Sequence, residues 1–153
     1  MPATLSTLEK ILFLKQVHLF SGLTARDLHI VAQETEEVEF ENGQAIFHEK
    51  DPGDSLYIVI RGNVAVTIGQ GENRGIVAIL GERECFGEMA VLTDQPRTAT
   101  VEAASPVRVL RIGRDDFRNI LLKHPHMAFG IFDVLIKRLR DTTRLYHHEM
   151  PHA

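Results

Sequence analysis

From Val38 to Ile112 the chain is a succession of short apolar or alternating runs, each cut off by turn residues. Val38-Glu39-Phe40-Glu41 alternates and stops at Asn42-Gly43. Ala45-Ile46-Phe47 ends before Asp51-Pro52-Gly53-Asp54, where Pro and Gly demand a tight turn. Leu56–Ile60 runs to Gly62-Asn63, Val64–Ile68 to Gly71-Glu72-Asn73, and Ile76–Leu80 follows. Thr98–Ala103 and Val107–Ile112 flank Ser105-Pro106. Seven such runs, with turn signals roughly every 8–12 residues, argue for an antiparallel roll of about eight strands, a jelly-roll-like barrel.

Both ends are helical in pattern. Leu5, Leu8, Ile11 and Leu12 follow a helical period over residues 4–14, with Ser6 or Thr7 available as cap. Thr24 opens a second helix through Leu28, Ile30 and Val31, ending near Thr35. After the strands, Asp115 or Asp116 starts a short helix that Pro125 ends, and a long helix runs from about His126 to His147. Ala128, Phe132, Leu135, Leu139, Thr142 and Tyr146 form one stripe on it. That stripe either docks on the β-layer or forms a heptad seam between two chains. Gly130 costs about 1 kcal/mol relative to alanine in a helix interior, a place where the segment can loosen. The expected fold is α+β but mainly β. It divides into an N-terminal helical segment at 1–35, the β-roll at 36–113 and C-terminal helices at 114–148, all one domain.

Composition removes several functions. At 153 residues, 44% apolar and 25% charged, the chain has the balance of one globular domain. A net charge of −4 offers nucleic acid no global attraction. No run approaches 18 apolar residues, and Glu9, Lys10 and Lys15 interrupt the start, so neither a membrane span nor a signal peptide is expected. The single Cys85 cannot form an internal disulfide and fits a reducing, cytoplasmic setting. Among eight histidines only His48 lies in the strand region, too few for a metal-binding barrel. No Ser/His/Asp or Cys/His grouping stands out. A binding module is expected rather than an enzyme, with no catalytic residue, no metal and no cofactor.

The segment from Phe86 to Val101 lies between strands but does not alternate. Gly87 lets the backbone bend or approach a ligand closely. Glu88–Leu92 can form one helical turn whose Met89 and Ala90 amides stay free for an anion. Ala90 leaves room against the backbone, Pro96 stiffens the return, and Arg97 offers a planar charged fork suited to phosphate. Glu88 can accept a sugar hydroxyl. A phosphate and a ribose satisfy this set; alone, the Gly-Glu pair and the arginine also fit a turn with an internal ion pair. As a group awaiting a ligand, Arg97 is not expected to belong to the core.

The whole string Phe86-Gly87-Glu88-Met89-Ala90 to Arg97-Thr98-Ala99 resembles the phosphate-binding cassette of the cyclic nucleotide-binding domain family. Upstream, Gly43-x-x-Ile46-Phe47, Asp51–Tyr57 and Gly62–Val66 resemble its barrel turns, so the likeness covers roughly residues 10–147. The resemblance implies a cassette at 86–99, with Phe86 at its start and Arg97 on the exocyclic phosphate oxygens. It also implies Glu88 on the ribose 2′-hydroxyl and the backbones of Gly87, Met89, Ala90 and Ala99 along the phosphate. Val66, Ala78 and Leu80 would line the pocket, and Thr98 would meet the phosphate or a guanine amino group. Arg138 would reach the base from a lid helix, or else be solvated in a basic run. Lys50 and Arg83 stand where the family often carries Gly, so local backbone geometry is expected to differ. The resemblance implies a sensor of cAMP, and less readily of cGMP, that acts on an effector protein or fused effector domain. A non-binding interaction domain that signals through its long helix or by homodimerising is the alternative. The family's transcription factors continue into a winged helix-turn-helix that this sequence does not contain, so no direct nucleic acid binding is expected.

Overall fold

The computed structural model describes residues 4–149, with side chains to residue 143. Its strands are β1 (Thr35–Phe40), β2 (Ala45–Phe47), β3 (Ser55–Arg61), β4 (Val64–Ile68), β5 (Gly75–Leu80), β6 (Cys85–Phe86), β7 (Thr100–Ala103) and β8 (Val107–Gly113). They form two four-stranded antiparallel sheets, ordered β1-β8-β3-β6 and β2-β7-β4-β5. The strand run Leu56–Ile60 reads as continuously apolar because its two faces serve two cores. Leu56 and Ile58 pack with the helices, while Tyr57 and Val59 pack between the sheets. β8 does the same, with Leu110 and Ile112 on one side and Val107 and Val109 on the other.

Among the described residues five α-helices flank the roll: α1 (Thr7–Leu14), α2 (Ala25–Gln33), α3 (Glu88–Leu92), α4 (Arg114–Lys123) and α5 (Pro125–Glu149). Capping boxes open the first two, Ser6 with Glu9 and Thr24 with Asp27. On α1 the buried residue is Leu14, whereas Leu8 and Leu12 are exposed. The second helix stops at Gln33, short of Thr35, which already pairs with Ile112 in β1. β1 therefore starts three residues before Val38. Two adjacent glutamates look like a loop in sequence, but they have cross-strand partners on β8: Glu36 meets Arg111 at 2.7 Å and Glu37 meets Arg108 at 3.1 Å. Pro125 begins α5 rather than preceding it, which suits a residue lacking an N–H.

The face of α5 that docks differs from the expected stripe. Met127, Ile131 and Val134 are buried, whereas Phe132, Leu139 and Thr142 are exposed; Tyr146 lies beyond the described side chains. At about 100° per residue the docked row lies roughly a quarter-turn from that stripe, and Arg138 continues it. Phe129, Phe132, Ile136 and Leu139 form a second row on the opposite side, each at least 45% exposed. Gly130 is a packing position and not a loose point. A Cβ there would meet Gly22 O and Leu23 Cδ2 at 3.2 Å, and one on Gly22 would meet Gly130 O at 3.0 Å. The start of α5 is further tied down where the His126 ring meets the buried Asp27 carboxylate at 2.8 Å. Burial alone would push that carboxyl up. The hydrogen bonds from His126 and Thr24 outweigh burial and hold it below the usual range.

Candidate functional site

β6 and α3 lie against β3, and the turn between them borders a cavity of about 600 Å³. Gly87 makes that turn at φ 85°, where a Cβ would stand 2.6 Å from Arg97 Nη1 and 3.0 Å from Ser55 O. Only glycine fits there. One turn further on, Ala90 packs on Gly53 so closely that a Cβ on Gly53 would lie 1.9 Å from that of Ala90. The Pro-Gly turn after β2 thus receives α3, and the first amides of α3 have no helical acceptor of their own.

Arg97 is 4% exposed. Its Nη1 donates to Gly87 O at 3.0 Å and its Nη2 to Ser55 O at 2.7 Å, while Cζ lies 3.9 Å over the Phe47 ring. Backbone bonds fix the main chain as well, Arg97 N to Asp51 O and Lys50 N to Arg97 O, both 2.8 Å. This corrects the expectation that Arg97 stands outside the core. It also replaces the simple internal ion pair: the carboxylate within 4 Å of the guanidinium is that of exposed Asp54, at 3.7 Å, and not that of Glu88. Burial lowers the guanidinium's proton affinity, while Tyr57, Asp54, Asp51 and Glu88 raise it. Of its five N–H groups two are engaged, and buried Nε has no hydrogen-bond partner among the described residues. A charged donor held in this way is suited to an anionic acceptor.

The other expected residues gather round it. Val66, Ala78 and Leu80 line the cavity from β4 and β5, together with Gly87, Glu88, Met89, Ala90, Thr98 and Ala99. Met89 lines the cavity although it is 58% exposed. Phe86 lines the wall but belongs mainly to the inter-sheet core, stacked on Tyr57 with centroids 5.1 Å apart and planes 10° apart. Arg138 reaches the cavity from α5. Glu88 Oε2 lies 3.9 Å from Cys85 Sγ. Burial, reinforced by Glu88, pushes the Cys85 thiol well up.

Sequence reasoning missed Phe47, Ser55 and Gly53, all of which position Arg97 or α3. Gly53 carried a signal in its Pro-Gly turn, while Ser55 acts through a carbonyl and carried none. Lys50 and Arg83 were expected to alter the backbone, yet they adopt φ 76° and 72°, the conformation a glycine would take. Lys50 thereby keeps the turn that hydrogen-bonds Arg97.

The family model for the cyclic nucleotide-binding domain matches residues 37–124, more than half the chain. The chain belongs to this family. A CRP-like cAMP-activated global transcriptional regulator of Mycobacterium tuberculosis is 29% identical over 130 residues, 84% of this chain and 58% of the regulator. The chain thus spans little more than half of that relative. Among solved structures, the N-terminal domain of a transcriptional regulator from Streptomyces coelicolor A3(2) superposes with TM-score 0.76 at 30% identity. It covers 88% of this chain, which covers 94% of it. The regulatory domain of Toxoplasma gondii PKA, solved with cAMP, gives 0.75 at 27% identity over 88% of this chain and 50% of that one. These relatives are named as regulators, not as catalysts. No described helix is long and apolar enough to cross a membrane.

Proposed function

We propose that the chain is a cyclic nucleotide sensor that binds cAMP, with cGMP the weaker ligand, and performs no chemistry on it. The observation that carries this reading is Arg97, buried beside the cavity with its Nε unpartnered and its two outer nitrogens anchored on carbonyls. In this reading Nε and the remaining N–H groups take the exocyclic phosphate oxygens, and the backbones of Gly87, Met89, Ala90 and Ala99 lie along the phosphate. Glu88, half-buried at the start of α3, accepts the ribose 2′-hydroxyl. Val66, Ala78 and Leu80 hold the purine. Thr98, exposed at the rim, meets the phosphate, or the amino group of guanine when cGMP binds.

The docked row of α5 ends in Arg138 at the cavity, which supports a lid role for that end of the helix. The first turns are anchored by Met127, Ile131 and the Gly22–Gly130 contact, so the moving part begins after Val134. Closure there would shift the population toward the state with higher nucleotide affinity, and an effector protein or fused domain would read it. The opposite row, Phe129, Phe132, Ile136 and Leu139, has the 3-4-3 spacing of a coiled-coil seam and supports pairing of two chains.

Calorimetric titration with cAMP and cGMP tests the reading, with Glu88→Gln alongside. Saturable binding is expected, roughly 5–150-fold weaker in the variant on losing 1–3 kcal/mol. A 2′-deoxy analogue should lose little more in that variant. A silent titration of the unmodified chain would overturn the sensor and leave an interaction domain of the same fold.

A further inference from the structure

α3 is held at both ends by arginines, and only one of them faces the cavity. At its start, Arg97 engages Gly87 O. At its other end, Arg118 of α4 donates from Nε to Val91 O at 2.8 Å and from Nη2 to Thr93 O at 3.0 Å. The same Nη2 lies 3.3 Å from Asp94 Oδ1, which also pairs with Arg114. Val91 O and Thr93 O lie at the helix end, where carbonyls have no intrahelical donor. One guanidinium from a different helix therefore supplies the C-terminal cap of α3. A helix of five residues cannot hold its own geometry.

Neither Arg118 nor Arg114 lines the cavity. Both sit on α4, which runs into α5 across His124, and the Arg114 amide donates to Asp54 O at 2.8 Å. Val91 is fully buried in the core that also contains Phe117, Ile120, Met127 and Ile131. The contacts from α3 to α4 are thus polar at the carbonyls and apolar beneath them, and α4 packs directly on α5.

We propose that Arg118 is a positioning residue for the phosphate site: it clamps the C-terminal end of α3 and ties that helix to α4, so that capture of the phosphate is transmitted to α5. This rests on the nucleotide reading above. A lysine at 118 can reach one carbonyl but cannot bridge Val91 O, Thr93 O and Asp94 together.

Hydrogen exchange and titration on Arg118→Ala and Arg118→Lys test it. Without nucleotide, the alanine variant should exchange amides 91–93 at least tenfold faster, while β3 and β8 keep their protection. Its cAMP affinity should fall roughly 5–30-fold. At saturating cAMP, the protection that the unmodified chain gains over residues 135–143 should be absent. Arg118→Lys should recover part of the affinity and part of the protection over 91–93. Unchanged exchange over 91–93 in the alanine variant would overturn the clamp, as would a loss of protection spread equally over β3 and β8. A saturated variant that protects α5 as fully as the unmodified chain would overturn the transmission. If the unmodified chain binds no cyclic nucleotide, the sensor reading fails, and exchange over 91–93 in nucleotide-free protein still decides the clamp.

Discussion

Replacing Arg97 by alanine should unfold the protein more easily even when no nucleotide is present. The guanidinium donates to two carbonyls, part-buried Gly87 O and buried Ser55 O, and stacks over Phe47. Hydrogen bonds from a charged donor contribute roughly 1.5–3 kcal/mol each. The cation–π contact adds about 1 kcal/mol. Against this stands the desolvation of a buried cation, which costs several kcal/mol and is relieved when the side chain goes. The net expectation is a loss of about 2–4 kcal/mol, because alanine removes both charged donors at once and empties the space over Phe47. For a chain of this length each kcal/mol lowers Tm by roughly 2–4 °C. Urea unfolding of nucleotide-free protein is the direct assay, with the midpoint moving and the slope unchanged. Arg97→Lys should fall between the two, since an ammonium reaches one carbonyl and stacks poorly. An unchanged midpoint in Arg97→Ala would refute the argument that this side chain is part of the fold as well as of the site.

Gly130→Ala should destabilise by about 1 kcal/mol net. The helix-propensity gain of about 1 kcal/mol is outweighed by overpacking against Gly22 O, so a stabilised variant in thermal melts would contradict the contact. Lys50→Gly should stabilise by about 0.5–1 kcal/mol, since a side chain at φ 76° is strained; a lower Tm would show the side chain to be doing something else. Asp27→Asn should cost about 1–2 kcal/mol at pH 7. Asp27 has a folded pKa below the ordinary value, so its contribution is present above about pH 4 and is lost as pH falls through the folded value. The gap between the two proteins should therefore close on acidification; a gap that persists at low pH would refute the linkage.

The strands were legible because period-2 patterning and turn residues are local signals, and the cassette was legible because its glycine, acid and arginine sit within one short string. What escaped was decided by distant partners. α5 carries apolar residues on nearly every side, so its periodicity allows several stripes. Gly22 and the core beside Leu19 and Phe20, more than a hundred residues earlier, select the row Met127-Ile131-Val134. β6 is only two residues long and owes its existence to the β3 edge it pairs with. Burial of Arg97 depends on a carbonyl 42 residues away, which no side-chain pattern announces. The His126–Asp27 contact joins residues 99 apart and was equally invisible.

Cys85 is the chain's single thiol, and it stands in the cavity wall against Glu88. Its raised pKa keeps the nucleophilic thiolate scarce at neutral pH, so adventitious oxidation and alkylation are slow. The residue borders the cavity itself, so a molecule seated there covers it. The rate of its modification is a gauge of how often the site is filled, readable by mass alone, with no second cysteine to confuse the count.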